Sequence, residues 1–237
     1  MLVQTQANRL LAELSPGDFA LLQPHLGLID LPMRRQLELR NRPIEFVYFI
    51  DSGLASMVVS VGAQHSVEAG IIGFEGMTGL PILLGTDRGT HETFIQRAGQ
   101  GRRIGADALR NAMEKSPSLR RHLLHYAHVM TTQMAFTALS NARFKIEERL
   151  ARWLLMAEDR SESSTIHLTH EFLAVMLGSR RAGVTHALNE FQKRGVIATK
   201  RGVIEIIDRG ALEEAANGSY GAPEAEYRRL FRDPSGR

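Results

Sequence analysis

The stretch LTHEFLAVMLGSRRAGVTHALNEF, residues 168–191, predicts two short helices joined by a tight turn. Thr169 suits the N-cap of the first helix, because its hydroxyl can accept a hydrogen bond from an unpaired amide of the first turn. Gly178 follows the last apolar residue, where helices commonly end in the left-handed conformation that glycine adopts without strain. Ser179 is then expected to cap the second helix.

The second predicted helix has an apolar back, formed by Val184, Leu188 and Phe191, and a polar front. Such a helix fits the major groove of DNA, where an arginine can donate two hydrogen bonds to guanine. An ordinary helical hairpin with a solvated basic face is the alternative at this point. The candidate DNA-facing residues at the start and along the front of this helix are Ser179, Arg180, Arg181, Thr185, His186 and Asn189.

Two β-type runs, residues 196–199 and 203–207, follow the second helix and are joined by Lys200, Arg201 and Gly202. Two strands after a helix–turn–helix predict a wing, and the tip of this wing is cationic. We therefore expect Lys200 and Arg201 to contact the phosphate backbone, since phosphate contacts position a protein on DNA. Thr169 and His170, at the start of the first helix, are further candidates for phosphate contacts.

The composition is that of an ordinary globular protein with a mild basic bias. The chain has 237 residues, 43% of them hydrophobic and 23% charged, with a formal net charge of +3. The absence of cysteine excludes disulfides and thiolate-held iron–sulfur clusters. The first ten residues, MLVQTQANRL, lack the apolar core of a signal peptide, and no apolar run is long enough to span a bilayer. We therefore expect a cytoplasmic protein with no membrane partner.

Residues 34–105 have a different character, with short β-rich runs separated by glycines. This pattern predicts an antiparallel sandwich or barrel, with a hairpin turn at Asp51-Ser52-Gly53. Residues 8–31 before it predict short helices. The predicted strands are Phe46–Ile50, Leu54–Val61, His65–Ile72, residues 93–96 and residues 102–104.

The segment GFEGMTGLP, residues 73–81, has three glycines whose spacing permits two interpretations. Its backbone amides can point inward and hold an anion, as glycine-rich turns often do. The glycines can equally serve only to turn the chain at a corner of a small barrel.

Residues 107–160 predict helices, including a long one with a single apolar stripe. Small and flexible residues line this stripe and suit close helix packing, either in the core of the chain or in a dimer seam. The candidate dimer residues are Leu119, Leu123, Tyr126, Ala127, Met130, Met134 and Ala138. Another helix is predicted over residues 141–158. His122, His125 and His128 cannot converge on one ion from a single helix, and we interpret them as solvated side chains.

The order of a glycine-rich β-region, a long helix, a helix–turn–helix and a basic wing resembles the Crp/Fnr family of bacterial transcription regulators. The most specific motifs are IEERLARWLL at 146–155, LTHEFLA at 168–174 and the segment from 177 to 197. YFIDSG at 48–53 and the loop at 73–81 are also similar to the sensor domain of that family.

The resemblance implies an α+β fold with three parts. These are a double-stranded β-helix jelly roll at 1–114 that resembles a cyclic-nucleotide-binding domain, a dimerisation helix at 115–142, and a winged helix–turn–helix at 143–237. It further implies a homodimer whose recognition helices enter successive major grooves of a palindromic operator, about one helical turn (~34 Å) apart. The expected partners are double-stranded DNA, a second copy of the chain and RNA polymerase.

The chain departs from the cyclic-AMP-responsive members of the family at the positions that would hold the nucleotide. Met77 falls where a glutamate would bind the ribose, and Thr90 and His91 fall near the arginine–serine pair for the phosphate. Methionine cannot accept from a ribose hydroxyl, so we do not expect cyclic AMP to bind in the usual way. The candidate effector-binding residues are Gly76, Met77, Thr78, Gly79, Arg88, Thr90 and His91.

The recognition helix combines a match with a departure. Arg181 matches the arginine with which the family reads a base, whereas Ala182 replaces a glutamate that often reads cytosine. The predicted operator therefore differs from that of the well-known members.

The predicted function is that of a sequence-specific DNA-binding regulator, and the protein is not expected to be an enzyme. One alternative is a regulator of the same fold without an effector. The other is an enzyme on a cupin-like barrel, which would need a metal triad of histidines and a carboxylate. The β-region offers only His65 and His91 for such a triad, and no cofactor is evident.

Overall fold

The computed structural model describes residues 7–62, 65–161 and 165–231. Residues 1–6 of the N-terminal stretch considered above lie outside the described residues. The helices are α1 (Arg9–Ala12), α2 (Pro16–Leu22), α3 (Leu80–Leu83), α4 (Ala106–Lys115), α5 (Pro117–Arg143), α6 (Ile146–Asp159), α7 (His170–Met176), α8 (Arg181–Lys193), α9 (Arg209–Ala215) and α10 (Ala222–Phe231). The strands are β1 (Gly27–Leu31), β2 (Gln36–Glu38), β3 (Phe46–Ile50), β4 (Leu54–Val61), β5 (His65–Ile72), β6 (Glu92–Arg97), β7 (Gly99–Gly105), β8 (Thr165–His167), β9 (Ile197–Lys200) and β10 (Val203–Ile206).

The first compact unit, here the β-roll unit, comprises the described residues of Met1–Met57, Ile72–Thr131 and Tyr227–Arg237. One of its sheets has the antiparallel order β1-β7-β3, and the other has the order β2-β6-β4-β5. The core includes Phe49 and Ile104, both fully buried. The hairpin ends of β4 and β5, Val58–Ile71, are grouped with the second unit.

Three consecutive strands, β3, β4 and β5, confirm the predictions. β3, β4 and β5 have the predicted bounds, and Gly53 in the turn between β3 and β4 has a φ of +93°. A side chain at Gly53 would meet the Arg97 carbonyl oxygen at 2.6 Å, so the turn requires glycine for space as well as for conformation.

The prediction of short helices over residues 8–31 is wrong at its C-terminal end. α1 and α2 form, but Gly27–Leu31 is the edge strand β1, paired in antiparallel register with β7. Leu31 is buried and Ile29 is half-buried on one face, but Leu28 on the opposite face is 79% exposed, so apolar and polar residues do not alternate along this strand. Backbone hydrogen bonds to β7 hold residues 27–31 in the extended conformation of a strand.

α5 and α6 are separated at residues 144 and 145 rather than near residue 141, where the sequence predicted the second helix to begin. The backbone N–H of Lys145 donates to the Glu148 carboxylate at 2.7 Å. A glutamate at the third position of a helix commonly caps the helix start in this way.

The predicted apolar stripe of α5 faces the interior of the chain over most of its length. Leu119, Leu123, Tyr126, Ala127 and Met130 are at most 3% exposed within a single copy. Met134 is half-buried and Ala138 is exposed. Of the two interpretations of this stripe, its first five residues fit the intrachain core.

The second unit, here the helix–turn–helix unit, comprises the described residues of Val58–Ile71 and Thr132–Glu226. It contains α6, the helix pair α7 and α8, and a three-stranded sheet of order β8-β10-β9. β10 pairs in antiparallel register with both neighbours. Among the described residues, no helix is both long enough and apolar enough to cross a membrane.

Candidate nucleic-acid interface

α7 begins as predicted. The Thr169 hydroxyl accepts a hydrogen bond from the backbone N–H of Phe172 at 3.2 Å, which confirms Thr169 as the N-cap. The next residue, His170, has its Nδ1 3.0 Å from the hydroxyl of Thr185 on α8. This contact links the start of α7 to the middle of α8, so Thr185 is half-buried rather than fully available to DNA.

The turn after α7 corrects the prediction for Ser179. Gly178 is left-handed as predicted, with a φ of +54°, and its N–H donates to the Val175 carbonyl. The Ser179 N–H donates back to the Ala174 carbonyl at 2.8 Å, so Ser179 closes α7 in a Schellman turn. The N-cap of α8 is Arg180, and it makes no capping hydrogen bond through its side chain.

α8 has the predicted division between a buried back and an exposed front. Val184, Leu188 and Phe191 are at most 1% exposed and anchor the helix to its unit. Arg181, Ala182, His186 and Asn189 are exposed, as is Arg180 just before the helix. The front of the helix therefore presents charge and hydrogen-bonding groups to solvent.

Arg181 has a neighbour that the sequence did not indicate. One of its guanidinium nitrogens lies 3.8 Å from a carboxylate oxygen of Glu171 on α7. The side chains are 68% and 77% exposed, and exposed pairs of this kind contribute little because water screens them. The contact orients Arg181 weakly and leaves its donors available.

The wing is the β9–β10 hairpin, and it has the predicted basic tip. Lys200 is the last residue of β9, and Arg201 and Gly202 form a two-residue turn in which Gly202 has a φ of +72°. Both cationic side chains are exposed. The wing tip and the starts of α7 and α8 border a groove of about 670 Å³. The groove is lined by Thr169, His170, Glu171, Arg181, Thr199, Lys200, Arg201 and Gly202.

Two features that hold the wing were missed from the sequence. β8 adds a third strand, in which Ile166 pairs with Ile204 of β10. The Thr199 hydroxyl of β9 donates a hydrogen bond to the Gln192 side-chain oxygen on α8, and this bond connects the wing to α8. β8 has only three residues, too few for the alternation of apolar and polar residues that reveals a strand.

The hairpin segment Val58–Ile71 supplies a buried carboxylate to the helix–turn–helix unit. Glu68, 5% exposed, accepts a hydrogen bond from the indole N–H of Trp153 on α6 at 2.6 Å. Burial lowers the pKa of nearby Arg152 to about 10, while the charges of Glu224 and Glu68 act against that shift. Arg152 therefore stays cationic at neutral pH beside Glu68.

The predicted effector-binding loop, residues 73–81, lies in the β-roll unit and is called the sensor loop below. The N–H of Gly76 donates to the Gly73 carbonyl at 3.0 Å, and the N–H of Met77 donates to the Tyr126 hydroxyl at 3.0 Å. The N–H of Thr78 donates to the Tyr48 carbonyl at 2.9 Å. These three amides are therefore bonded within the chain.

The remaining candidate effector residues are not gathered around these amides. Arg88 forms a two-bonded pair with the carboxylate of its neighbour Asp87 at the surface, and Thr90 is exposed. His91 lies 3.4 Å from a carboxylate oxygen of Glu38, a residue that the sequence did not indicate. Of Arg88, Thr90 and His91, only His91 lies near a residue, Glu38, that is also bonded to the sensor loop.

Of the three histidines of α5, His128 is exposed as predicted, whereas His122 and His125 are half-buried. His122 is half-buried, its Nε2 lies 2.9 Å from the Leu10 carbonyl oxygen, and its ring packs edge-on against Phe231. Burial is the main cause that lowers its pKa, with His125 contributing. Among residues 7–62, 65–161 and 165–231, no group of three or more histidines and carboxylates is arranged to hold a metal ion.

A helix pair with an exposed arginine front, a left-handed glycine in its turn and a basic two-stranded wing defines a winged helix–turn–helix domain. Residues 148–215 match the family model of the Crp-like helix-turn-helix domain. This part of the chain is therefore a Crp-like helix–turn–helix domain. No curated protein sequence matches the chain.

Solved structures share the fold over most of the chain. A Crp/Fnr-family transcriptional regulator from Eubacterium rectale superposes with a TM-score of 0.70 at 18% identity, covering 90% of this chain and 99% of its own. FixK2 from Bradyrhizobium japonicum has a TM-score of 0.71 at 15% identity, and the match covers 80% of this chain and 96% of FixK2. CLP, a c-di-GMP-responsive global regulator from Xanthomonas campestris, has a TM-score of 0.62 at 16% identity, and the match covers 81% of this chain and 99% of CLP. The chain thus has the fold of Crp/Fnr regulators, with a β-roll, a long helix and a winged helix–turn–helix.

Proposed function

We propose that this chain is a transcription regulator that binds a palindromic operator as a homodimer, with α8 of each copy in the major groove. The observation that carries the proposal is the front of α8, where Arg180, Arg181, His186 and Asn189 are exposed above a buried apolar back. A helix with this division enters the major groove and presents side chains to base edges. The protein then acts by binding rather than by catalysis, and in the cytoplasm, where the chromosome is accessible.

Arg181 is the residue to which we assign base recognition. It stands at the first position of α8, and the N-terminal residues of a recognition helix contact base edges. Its guanidinium can donate two hydrogen bonds to guanine, whereas the methyl group of the neighbouring Ala182 can make only apolar contacts. We assign phosphate contacts to Thr169, His170, Lys200 and Arg201, which border the groove beside α8.

A second copy would meet α5 on a face other than the buried stripe. Within the helix–turn–helix unit, the exposed α5 residues Ala135, Ala138, Leu139 and Ala142 recur at helical spacing. Leu139 is 46% exposed, and small neighbours let two helices approach closely. Ala138 belongs to the seam proposed from the sequence. A dimer bound beside a promoter would contact or block RNA polymerase, which is therefore the expected protein partner.

Selection of bound duplexes from a random DNA pool, with the full-length protein, tests this proposal. The expected result is an enriched palindrome whose half-sites are centred about 10 base pairs apart, since the recognition helices of a dimer enter successive major grooves. A single unrepeated site would contradict the dimer, and no enrichment would contradict sequence-specific binding. The Arg181→Ala protein should lose the enrichment of one base position in each half-site.

A further inference from the structure

The sensor loop binds an anion that belongs to its own chain. The N–H of Gly79 donates to a carboxylate oxygen of Glu38 at 2.7 Å. Glu38 ends strand β2, and its side chain is 2% exposed. The fourth amide of the run Gly76–Gly79 is therefore bonded to a buried negative charge.

One further group binds the same carboxylate, and another lies beside it. The Thr93 hydroxyl of β6 donates to the second oxygen of Glu38, and Thr93 is fully buried. The Nε2 atom of His91 lies 3.4 Å from that oxygen, without the alignment of a hydrogen bond, and its side chain is 13% exposed. A backbone amide, a hydroxyl and an imidazole thus surround one carboxylate.

The backbone at Gly79 is shaped for this contact. Its φ is +82°, and an added side chain would approach Cγ2 of Val47 to 2.4 Å. Only glycine therefore fits both the conformation and the space, and the amide is fixed in its direction toward Glu38.

Amides, hydroxyls and imidazoles of this kind are the groups that hold phosphates and other anions in proteins. A buried carboxylate is tolerated only when such donors bind it, because burial of an unpaired charge is costly. A carboxylate attached to the chain also competes at a high effective concentration with any anion from solution. An arriving phosphate would have to displace Glu38 and would be repelled by it.

We propose that Glu38 is a built-in anionic ligand of the sensor loop, and that it prevents phosphate-bearing effectors from binding to the Gly79 amide, Thr93 and His91. The inference refines the proposed regulator by stating which class of effector its β-roll excludes at this position. It follows that removal of the carboxylate would create a site for a small anion.

Thermal unfolding of the full-length protein with added anions tests the proposal. The variants are Glu38→Ala, which opens the site, and Glu45→Ala, a matched control at an exposed glutamate. Acetate should raise the Tm of Glu38→Ala with concentration, beyond the effect of chloride at equal ionic strength, because a ligand of the native state stabilises it. The wild type and Glu45→Ala should show the same, smaller response to acetate, which is the general effect of a salt excluded from the protein surface, and cyclic AMP should not raise the wild-type Tm.

Glu38→Gln keeps the side-chain volume and removes the charge, so it covers the case in which Glu38→Ala does not fold. Its Tm should fall by roughly 5–10 °C, since hydrogen bonds to a buried charge are lost. A Tm equal to that of the wild type would mean that Glu38 only fills space and would overturn the proposal. A response of Glu38→Ala to acetate no larger than that of the wild type, or a wild-type Tm that rises with cyclic AMP, would overturn it too.

Operator binding is measured on the same preparations. Failure of the anion tests with intact operator binding would remove the role of Glu38 and leave the regulator in place. Loss of operator selection in the wild type would contradict the proposed function without affecting the anion result.

Discussion

The recognition surface, formed by the front of α8 and the wing, differs from the sensor loop in what its polar groups are bonded to. Arg180, Lys200 and Arg201 are exposed and have no side-chain partner among the described residues, and Arg181 has only the 3.8 Å contact with Glu171. In the sensor loop, every amide of the run Gly76–Gly79 is bonded to a group of the same chain.

This difference indicates which polar groups of the chain are available to bind a partner. Exposed arginines and lysines keep their hydrogen bonds for a ligand and lose little by exchanging water for phosphate or a base edge. The amides of the run Gly76–Gly79 could bind a ligand only after an internal hydrogen bond had broken. The loss of that bond would cancel most of the free energy gained by binding the ligand. We therefore expect recognition at the front of α8 and the wing, and we propose that the glycine-rich loop that suggested an effector site serves packing.

The largest effect is expected for Gly79→Ala, which tests whether the sensor loop is packed against its own chain. The substitution forces a side chain into a left-handed conformation and against Val47, so the free energy of unfolding should fall by about 2–4 kcal/mol. Urea denaturation measures it.

Gly85→Ala is the matched control, because Gly85 has a φ of +85° but nothing within 4 Å of an added side chain. Gly85→Ala should lower the free energy of unfolding by about 1–2 kcal/mol, the cost of the left-handed conformation alone. Equal losses in the two variants would contradict close packing at Gly79.

Elements determined by local interactions could be predicted from the sequence, and elements determined by distant contacts could not. The strands β3, β4 and β5 were predicted with their observed bounds because apolar runs and turn glycines are local signals. Ser179 was misassigned because a Schellman turn and an N-cap can each use the same serine, and only the hydrogen bond to Ala174 distinguishes them.

Most of the missed features depend on contacts between distant residues. Glu38 meets Gly79 across 41 residues, and nothing in the segment QLE at residues 36–38 marks its glutamate as a loop ligand. Glu171 meets Arg181 only because α7 and α8 cross at the turn. The exposed front of α8 could be predicted from the helical pattern, whereas the partners of its side chains required the tertiary structure.

A smaller effect is expected from the half-buried His122 of α5, and it tests whether the stability of the β-roll unit depends on the charge of this side chain. Burial holds the pKa of His122 below its ordinary value of 6.5, so the native state prefers the neutral ring. As the pH falls through 6.5, the unfolded chain takes up the proton first, and the stability of the native state declines until the folded pKa is passed. His122→Gln should flatten this decline in urea titrations between pH 7 and pH 5, whereas His128→Gln, at an exposed position, should not.

The smallest effect is expected for Glu171→Gln, which removes the ion pair that Arg181 forms within the part of the chain that the structure describes. The exposed ion pair is worth less than about 1 kcal/mol, so operator binding should tighten by at most about fivefold. Fluorescence anisotropy with labelled operator measures the change. Glu213→Gln, at an exposed glutamate of α9, should leave the affinity unchanged, and weaker binding by Glu171→Gln would indicate that Glu171 itself helps to position DNA.

The most direct test of the central claim is the affinity of Arg181→Ala for the selected operator and for a scrambled duplex of the same length. Arg228→Ala removes the same charge at an exposed position of α10 and serves as the control. Loss of a two-bonded contact to guanine should weaken operator binding by roughly 5- to 150-fold and leave scrambled DNA nearly unaffected. Lys200→Ala should instead weaken both duplexes and reduce the salt dependence. If Arg181→Ala binds the operator as tightly as the wild type does, α8 does not read the sequence through this residue and the account is contradicted.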